Sequence, residues 1–572
     1  MTKMSGIEHE NGLPPRYFRS TLFLGSLTAI DMGLLAAIAG FAFAAPILSL
    51  INQDIGPSPD LSWVSLTYTL TIAVGLTLIG RTTDIFGRRY IFIGGGILGT
   101  VGSIVCARAG SINTMIGGMT LIGLAASTQV SYFYVVGELV PMKYRFAANG
   151  LMYIFTTPGG AFAPAIATAF ANNTPVGWRG VFYVLFAINL VALLCFAFFY
   201  WPPAFHDKHA DGTVRSYLRQ FDYVGVVLFV GGLLTFLMGL SWGGTRYPWA
   251  SANVIGTIVV GGFVFCTFIA WECFAPLHQR LVPMRLLRNI PWTAAVVTSG
   301  LGSSLYYGLA VVWPSMVSIV YATRNPVNDS MAASLVGAAW LLGEITSGFM
   351  ATPVRHIKLQ SIITLTVSGV LLACVATCTV DTRTRACVLV AFGTFFAGWL
   401  EGLSLTITTL ALGNQDELGT ACGFGGSIRY AITTVINAIY NSILAARLAT
   451  TVPQELSRSA IQTGLSASIV QDVMTALAAR KLPTSVPGIT NDVGAIVYRA
   501  YQIANIDAYR TIFYTTIAVT GLGLISCFML PNTDELMVNT VTTPLGRNNI
   551  GRSRTDADDD MEKRNGHSLG KI

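Results

Sequence analysis

The chain has 572 residues, of which 53% are hydrophobic and 11% charged, with a net charge of +7 and a mean hydropathy of +0.59. A soluble fold carries roughly 25% charged residues, so water cannot be the only solvent here, and a bilayer fits the excess apolar surface. The basic residues come in twos and threes between apolar runs rather than on one stripe, which excludes a nucleic-acid surface and matches the positive-inside pattern of membrane proteins.

Residues 1–20 lack the charge, short core and small-residue order of a cleaved signal peptide, and are expected to remain as a cytosolic segment. Spanning lipid takes about 20 apolar residues. Fourteen runs reach that scale: 21–50, 62–80, 90–109, 113–137, 150–171, 180–201, 223–241, 252–271, 292–321, 331–351, 359–379, 386–411, 420–446 and 509–530. Only helices and closed barrels satisfy their backbone in lipid. The runs are too long and too evenly apolar for barrel strands, so an all-α polytopic membrane protein is expected.

Asp31 stands within the first run. The turn after the second reads GRTTDIFGRR at 80–89. Gly80 allows close approach of a neighbouring helix, Asp84 can accept from Arg or cap a helix N-terminus, Gly87 permits a reversal, and Arg88 and Arg89 anchor the turn. A plain charged turn is the alternative. In the third run, GGGILG at 94–99 matches the dinucleotide pattern G-x-G-x-x-G, but no strand precedes it, and close helix packing explains it better. The fourth run carries Tyr132, Phe133 and Tyr134, the ninth Tyr306 and Tyr307, and the twelfth Trp399. A flat apolar substrate could stack on such faces; interfacial packing is the alternative. Glu344 lies in the tenth run, Glu401 in the twelfth and Arg429 near the start of the thirteenth. A charge at membrane depth costs at least about 2.5 kcal/mol, so these groups should face a cavity or a partner. Local pairing or snorkelling near a helix end is the other reading. Residues 447–508 read as a long connection with one short amphipathic helix within AIQTGLSASIVQDVMTALAARKL, and 531–572 as a disordered polar tail.

Two sequons, at Asn172 and Asn328, fall between runs and are candidate glycosylation sites. The nine cysteines mostly sit inside runs, as in CVATC at 374–378, with neither zinc spacing nor a disulfide ladder. No metal or other cofactor is expected. Nor is there a Walker loop, HExxH or nucleophile elbow, so neither an enzyme nor an ATP-driven pump is expected. Orientation follows from Lys and Arg. With the N-terminus cytosolic, short inner connections hold thirteen, from Arg81 through Lys143, Lys208 and Arg285 to Lys358. Short outer connections hold six, among them Arg179, Arg246, Arg324 and Arg383.

GRTTDIFGRR resembles the signature loop of the major facilitator superfamily, G-x-L-x-D-x-x-G-R-[RK], with Gly80, Asp84, Gly87, Arg88 and Arg89 matching and Thr82 in place of Leu. The resemblance implies an ionic latch between two halves. ELVPMKYR at 138–145, WRGVFYVLFAIN at 178–189, LSWGGTRYPW at 240–249 and GSIRYAI at 426–432 are similar to stretches of fourteen-helix fungal exporters, most of all the trichothecene efflux pump family. PGGAFAPAIA at 158–167 sits where drug:proton antiporters carry a helix-5 motif; Pro164 matches, while Ala163 and Ala167 replace glycines. Met119 and Ile122 stand where those antiporters carry Arg and Gln, so coupling through that Arg does not carry over.

The resemblance implies a major facilitator fold: bundles at 21–201 and 272–530, the latter including an extracellular loop at 447–508, and a linker with two extra helices at 202–271; the Lys and Arg bias puts both termini on the cytosolic side. The expected function is proton-antiport efflux of small hydrophobic molecules such as a fungal toxin or drug. Siderophore uptake by proton symport and a transporter-like sensor are the alternatives. Asp31 and Glu401 lead as proton-coupling acids, because their helices should border the cavity; Glu344 ranks below, because the tenth helix should hold a rocker or peripheral position. Tyr134, Tyr306, Tyr307, Trp399 and Arg429 are cavity candidates. The expected partners are the lipid bilayer, a small hydrophobic substrate and protons, with the chain a monomer. The expected location is the plasma membrane, with a vacuolar or vesicle membrane as alternatives.

Overall fold

The computed structural model describes residues 8–9, 17–58, 60–202, 213–244, 246–323, 325–412, 417–478, 482–533, 537 and 540–541. Most of the expected tail at 531–572, most of the segment 1–20, and the orienting residues Lys208 and Arg324 lie outside the described residues. Fourteen helices are long and apolar enough to cross a membrane. They are α1 Thr21–Ile47, α2 Trp63–Phe86, α3 Arg89–Ala107, α4 Ile112–Leu139, α5 Met142–Asn173, α6 Arg179–Phe199, α7 Tyr223–Trp242, α8 Ala252–Phe274, α9 Ile290–Ile319, α10 Pro326–Val354, α11 Ile357–Val375, α12 Arg383–Leu410, α13 Leu418–Thr463 and α14 Asn491–Phe528. The two-residue ladder of Glu8–His9 with Thr540–Val541 is the one sheet among the described residues.

Helices α1–α6 pack together, as do α9–α14, giving two six-helix bundles. The α7–α8 hairpin lies outside both, with α7 against α2 and α13. GGGILG packs α3 against its bundle: a Cβ on Gly95 would come within 2.1 Å of Thr128 Oγ1, and one on Gly99 within 2.3 Å of Asn189 Oδ1.

The bundles meet along two glycine seams. Where α2 crosses α13, a Cβ on Gly80 would lie 2.2 Å from the Gly419 carbonyl oxygen, and one on Gly423 2.5 Å from that of Leu76. Where α5 crosses α10, a Cβ on Gly348 would lie 2.5 Å from Gly150 Cα, and one on Gly337 2.4 Å from the Gly160 oxygen. Small residues let backbones approach this closely, so contact between the halves is backbone on backbone.

The helix-5 motif makes a break in α5. One helical segment ends at Gly160 and the next begins at Ala163, with Pro158 inside the first and Pro164 in the opening turn of the second. A proline removes a backbone donor and crowds the preceding turn. The break falls where α5 meets both α1 and α10: Gly159 faces Leu35, and Gly160 faces Leu341.

Residues 447–508 differ from the expectation of a connection. Residues 447–463 continue α13 and 491–508 belong to α14, with a separate helix at Ala467–Ala478. These pieces bury Leu456, Val473, Leu477 and Val497 in a second small core of their own. Hydropathy marks where lipid ends, not where a helix ends, and an amphipathic face packed on neighbours sustains the helix beyond the bilayer. Tyr498 and Gln502 donate to the Ile319 carbonyl at 3.2 and 3.4 Å, tying this cap to the far end of α9. The run expected at 150–171 likewise starts earlier, at Met142.

Candidate functional site

The GRTTDIFGRR turn joins α2 to α3. Gly87 closes α2 at φ 89°, a left-handed conformation that favours glycine. Asp84 faces the other bundle: Thr420 N–H and Thr420 Oγ1 donate to its Oδ2 at 2.6 and 2.8 Å. Thr420 lies in the first turn of α13, so an acid from one bundle caps a helix N-terminus of the other. Arg88 stands 3.5 Å from Asp84 Oδ1 and donates to Glu138 of ELVPMKYR. Arg89 stays within its own bundle, donating to the Ala197 and Tyr200 carbonyls at 2.6 and 3.1 Å and closing the end of α6.

Further bonds fasten the halves on this side. Arg145 donates to the Thr409 carbonyl at 3.0 Å, Asn149 to Thr406 Oγ1 at 2.9 Å, and Arg81 to Gln279 Oε1 at 2.7 Å. Higher on the seam, Thr77 and Ser427 hydroxyls bond at 2.7 Å. A charged turn serving only the positive-inside bias would not need these cross-bundle partners.

Between the bundles lies a dense aromatic and charged cluster. Tyr306 of α9 stacks on Trp340 of α10 with centroids 4.3 Å apart and planes at 21°. Tyr307 bonds Tyr430 of α13 at 3.1 Å and packs edge-on to Phe41 of α1 at 5.8 Å. Tyr132 of α4 and Tyr153 of α5 bond through their hydroxyls at 2.5 Å, and the Tyr153 ring meets Trp340 at 6.1 Å.

Two acids and one base complete the cluster. Arg429 Nε lies 2.7 Å from Glu401 Oε1, though its N–H is not aligned for a hydrogen bond. Ser299 donates to the same oxygen at 3.2 Å, and Glu401 Oε2 has no hydrogen-bond partner. Glu344 of α10 is 1% exposed, makes no ion pair among the described residues, and is faced by the Tyr153 side chain. Of the two positions expected for helix α10, rocker or peripheral, the peripheral one does not hold: α10 forms the seam with α5 and brings Glu344 to the interface.

The remaining expected residues fall elsewhere. Asp31 is buried in α1 with Oδ1 unpartnered, and no ion pair to it is found among the described residues. Tyr134 belongs to the latch, its ring 4.7 Å from the Arg88 guanidinium carbon. Trp399 lies within its own bundle and donates to Gln360 Oε1 at 3.2 Å. Asn172 and Asn328 are exposed, each within a helix at the end of the bundle away from the latch. Met119 and Ile122 are buried packing residues.

On the side away from the latch, a cavity of about 40 Å³ separates the bundles, lined by Phe41, Pro46, Pro164, Tyr306, Pro314 and Gly337. Drug-sized ligands occupy roughly 300–1,000 Å³, so this space takes a water or two. The bundles are hydrogen-bonded to each other at the GRTTDIFGRR end, and the cavity between them at the other end is small.

A family model described as a fungal trichothecene efflux pump matches residues 5–567. A trichothecene efflux pump (TRI12) of Fusarium sporotrichioides is 24% identical over 536 residues, which is 92% of this chain and 89% of that one. The MFS-type transporter prx5 of Penicillium rubens is 27% identical over 541 residues, 90% of this chain and 93% of that one. Among solved structures, the major facilitator superfamily proton:xylose symporter XylE superposes with a TM-score of 0.53 at 11% identity, covering 91% of this chain and 99% of that one. Such distant likeness speaks to fold alone, and the fold is the major facilitator one.

Proposed function

The chain belongs to the fungal trichothecene efflux pump family, and from that membership and the chemistry of its core we propose that it exports small, largely apolar metabolites in exchange for protons. It is a multi-pass transporter of the major facilitator fold. The observation that carries the coupling half of the proposal is Glu344, an acid buried between the bundles with no counter-ion paired to it among the described residues. An unpaired carboxylate there would cost several kcal/mol, so the packed state suits the protonated acid. The stacked Tyr306 and Trp340 supply the flat apolar face beside it.

We take the latch side as cytosolic, because the denser Lys and Arg connections lie there. A metabolite would enter when the latch opens, stack on the aromatic pair and meet Glu344 as a carboxylate. A proton arriving from the opposite side would neutralise Glu344 and favour release there. Access alternates by rocking one bundle against the other about the two glycine seams.

The test uses purified protein in vesicles whose interior is one pH unit more acidic than the bath, with a non-ionisable trichothecene as probe. One-for-one exchange should concentrate the probe inside up to about tenfold, since one pH unit is worth about 1.4 kcal/mol. Accumulation in the alkaline compartment instead would mean symport, and none at all would mean an uncoupled carrier.

Asp84→Asn should slow this transport about three- to tenfold while the protein still reaches the membrane. The amide keeps the shape of the turn but weakens two charge-assisted bonds to Thr420, a loss of about 0.7–1.4 kcal/mol that shifts the latched population rather than the fold. An unchanged rate would return the turn to a merely charged one.

A further inference from the structure

We propose that an apolar groove on the latch side of the second bundle, between α9, α13 and α14, is a binding site for one anionic phospholipid, with its headgroup phosphate on Arg288 and an acyl chain lying in the groove. The groove encloses about 440 Å³ and is lined by Ile290, Val297, Leu301, Ile432, Leu522 and Met529 among others. Ile290, Leu522 and Met529 are exposed on the outer face of the bundle, so the opening looks into the membrane and away from the inter-bundle cluster.

Its length fits a lipid tail. From Ile290 to Leu301 a helix rises about 16 Å, and one leaflet of the hydrocarbon core is about 15 Å deep. The groove thus runs through a single leaflet. Its floor asks for nothing polar, because Thr298 and Ser526 hydroxyls already bond to each other. That composition suits a hydrocarbon chain better than an oxygen-bearing metabolite, which would leave its own polar groups unpaired.

Its mouth supplies the charge. Arg288 immediately precedes the α9 entry, is exposed, and makes no ion pair among the described residues. The neighbouring Arg285 is spoken for by Glu417. A free guanidinium at the headgroup level, one turn from an acyl-sized groove, recognises a phosphate bidentately. The cytosolic leaflet is the anionic one, so this clause rests on the orientation proposed above; the groove and the free arginine do not. One wall of the groove is Ile432, which fills the slot left by Gly300 and follows Arg429 and Tyr430 on α13 by less than a turn. An occupied groove would therefore brace the helix that carries the charged half of the central cluster.

The test equilibrates the full-length protein with vesicles of equal phosphatidylserine and phosphatidylcholine bearing identical chains, then repurifies it in detergent and counts bound lipid by mass spectrometry. Wild-type protein should retain about one phosphatidylserine per chain in several-fold preference to phosphatidylcholine. Arg288→Glu should lower that retention roughly fivefold or more, while Arg288→Lys keeps most of it. Val297→Trp, which fills the groove, should expel both lipids. Equal retention of the two lipids, or retention indifferent to Arg288→Glu, would overturn the proposal. So would displacement of the lipid by a trichothecene, which would make the groove a lateral entry, or a cross-link between cysteines placed at Ile525 in two copies, which would make it a dimer face. Because Arg288 is exposed and makes no ion pair among the described residues, its substitution leaves the fold intact and decides the matter even if the tryptophan variant aggregates.

Discussion

Vesicles carrying Glu344→Gln protein are expected to exchange a neutral trichothecene down its gradient at close to the wild-type rate, yet to lose accumulation in an acidic interior, from up to about tenfold to about onefold for a one-unit gradient. The amide mimics the protonated acid in size and charge, so packing against Tyr153 survives while the proton can no longer come and go. Coupling is a difference in affinity between two states, and a group that cannot change state contributes none. Asp31→Asn is the paired control. Asp31 sits in the first helix, whereas Glu344 stands at the seam that must open and close. Loss of accumulation in Asp31→Asn with retention in Glu344→Gln would give the coupling role back to Asp31.

The three intramembrane acids illustrate what a sequence can and cannot say. Their positions within apolar runs mark them as costly and therefore purposeful. Which of them is held and which is unpartnered depends on neighbours hundreds of residues away in other helices. Arg429 pairs with Glu401 across two helices, and nothing in either stretch announces the partner. Nothing in the tenth run says that its glycines meet Gly150 and Gly160, and that contact is what makes α10 an interface helix instead of a peripheral one. The GRTTDIFGRR turn is more legible, because turn chemistry is local: Gly87 adopts positive φ, Asp84 accepts at a helix N-terminus and Arg88 lies beside Asp84. Even there Thr420, the group that Asp84 caps, carries no local signal. Tyr134 and Trp399 were misplaced for a related reason. An aromatic in an apolar run advertises bulk but not direction, and one position along a helix turns a side chain by about 100°. Tyr153, Trp340 and Tyr430 carry no signal on the same ground, each being one aromatic among many. Two polar residues inside otherwise apolar helices, Gln129 and Asn189, could have been found as a buried pair, and they bond at 2.8 Å within the first bundle.

The pair formed by Glu401 and Arg429 should behave as a structural unit. Their side chains are 0% and 7% exposed, and Ser299 donates a hydrogen bond to the acid. Removing one member of a buried pair leaves the other charge stranded, a cost of about 3–5 kcal/mol, whereas replacing both with apolar groups of similar volume is often neutral. Glu401→Leu and Arg429→Leu should therefore each lower the stability of the protein in detergent by several kcal/mol, and the double variant Glu401→Leu with Arg429→Leu should recover most of that loss. The non-additivity is the diagnostic, since distant and independent sites would simply sum. Thermal unfolding of the four proteins, with the fraction remaining monodisperse as readout, completes the cycle. The double variant, keeping Glu344 and the stack of Tyr306 on Trp340, should also retain pH-driven accumulation. If instead it folds well but no longer concentrates substrate, the proton passes through Glu401, and Arg429 is the group that releases or holds it there.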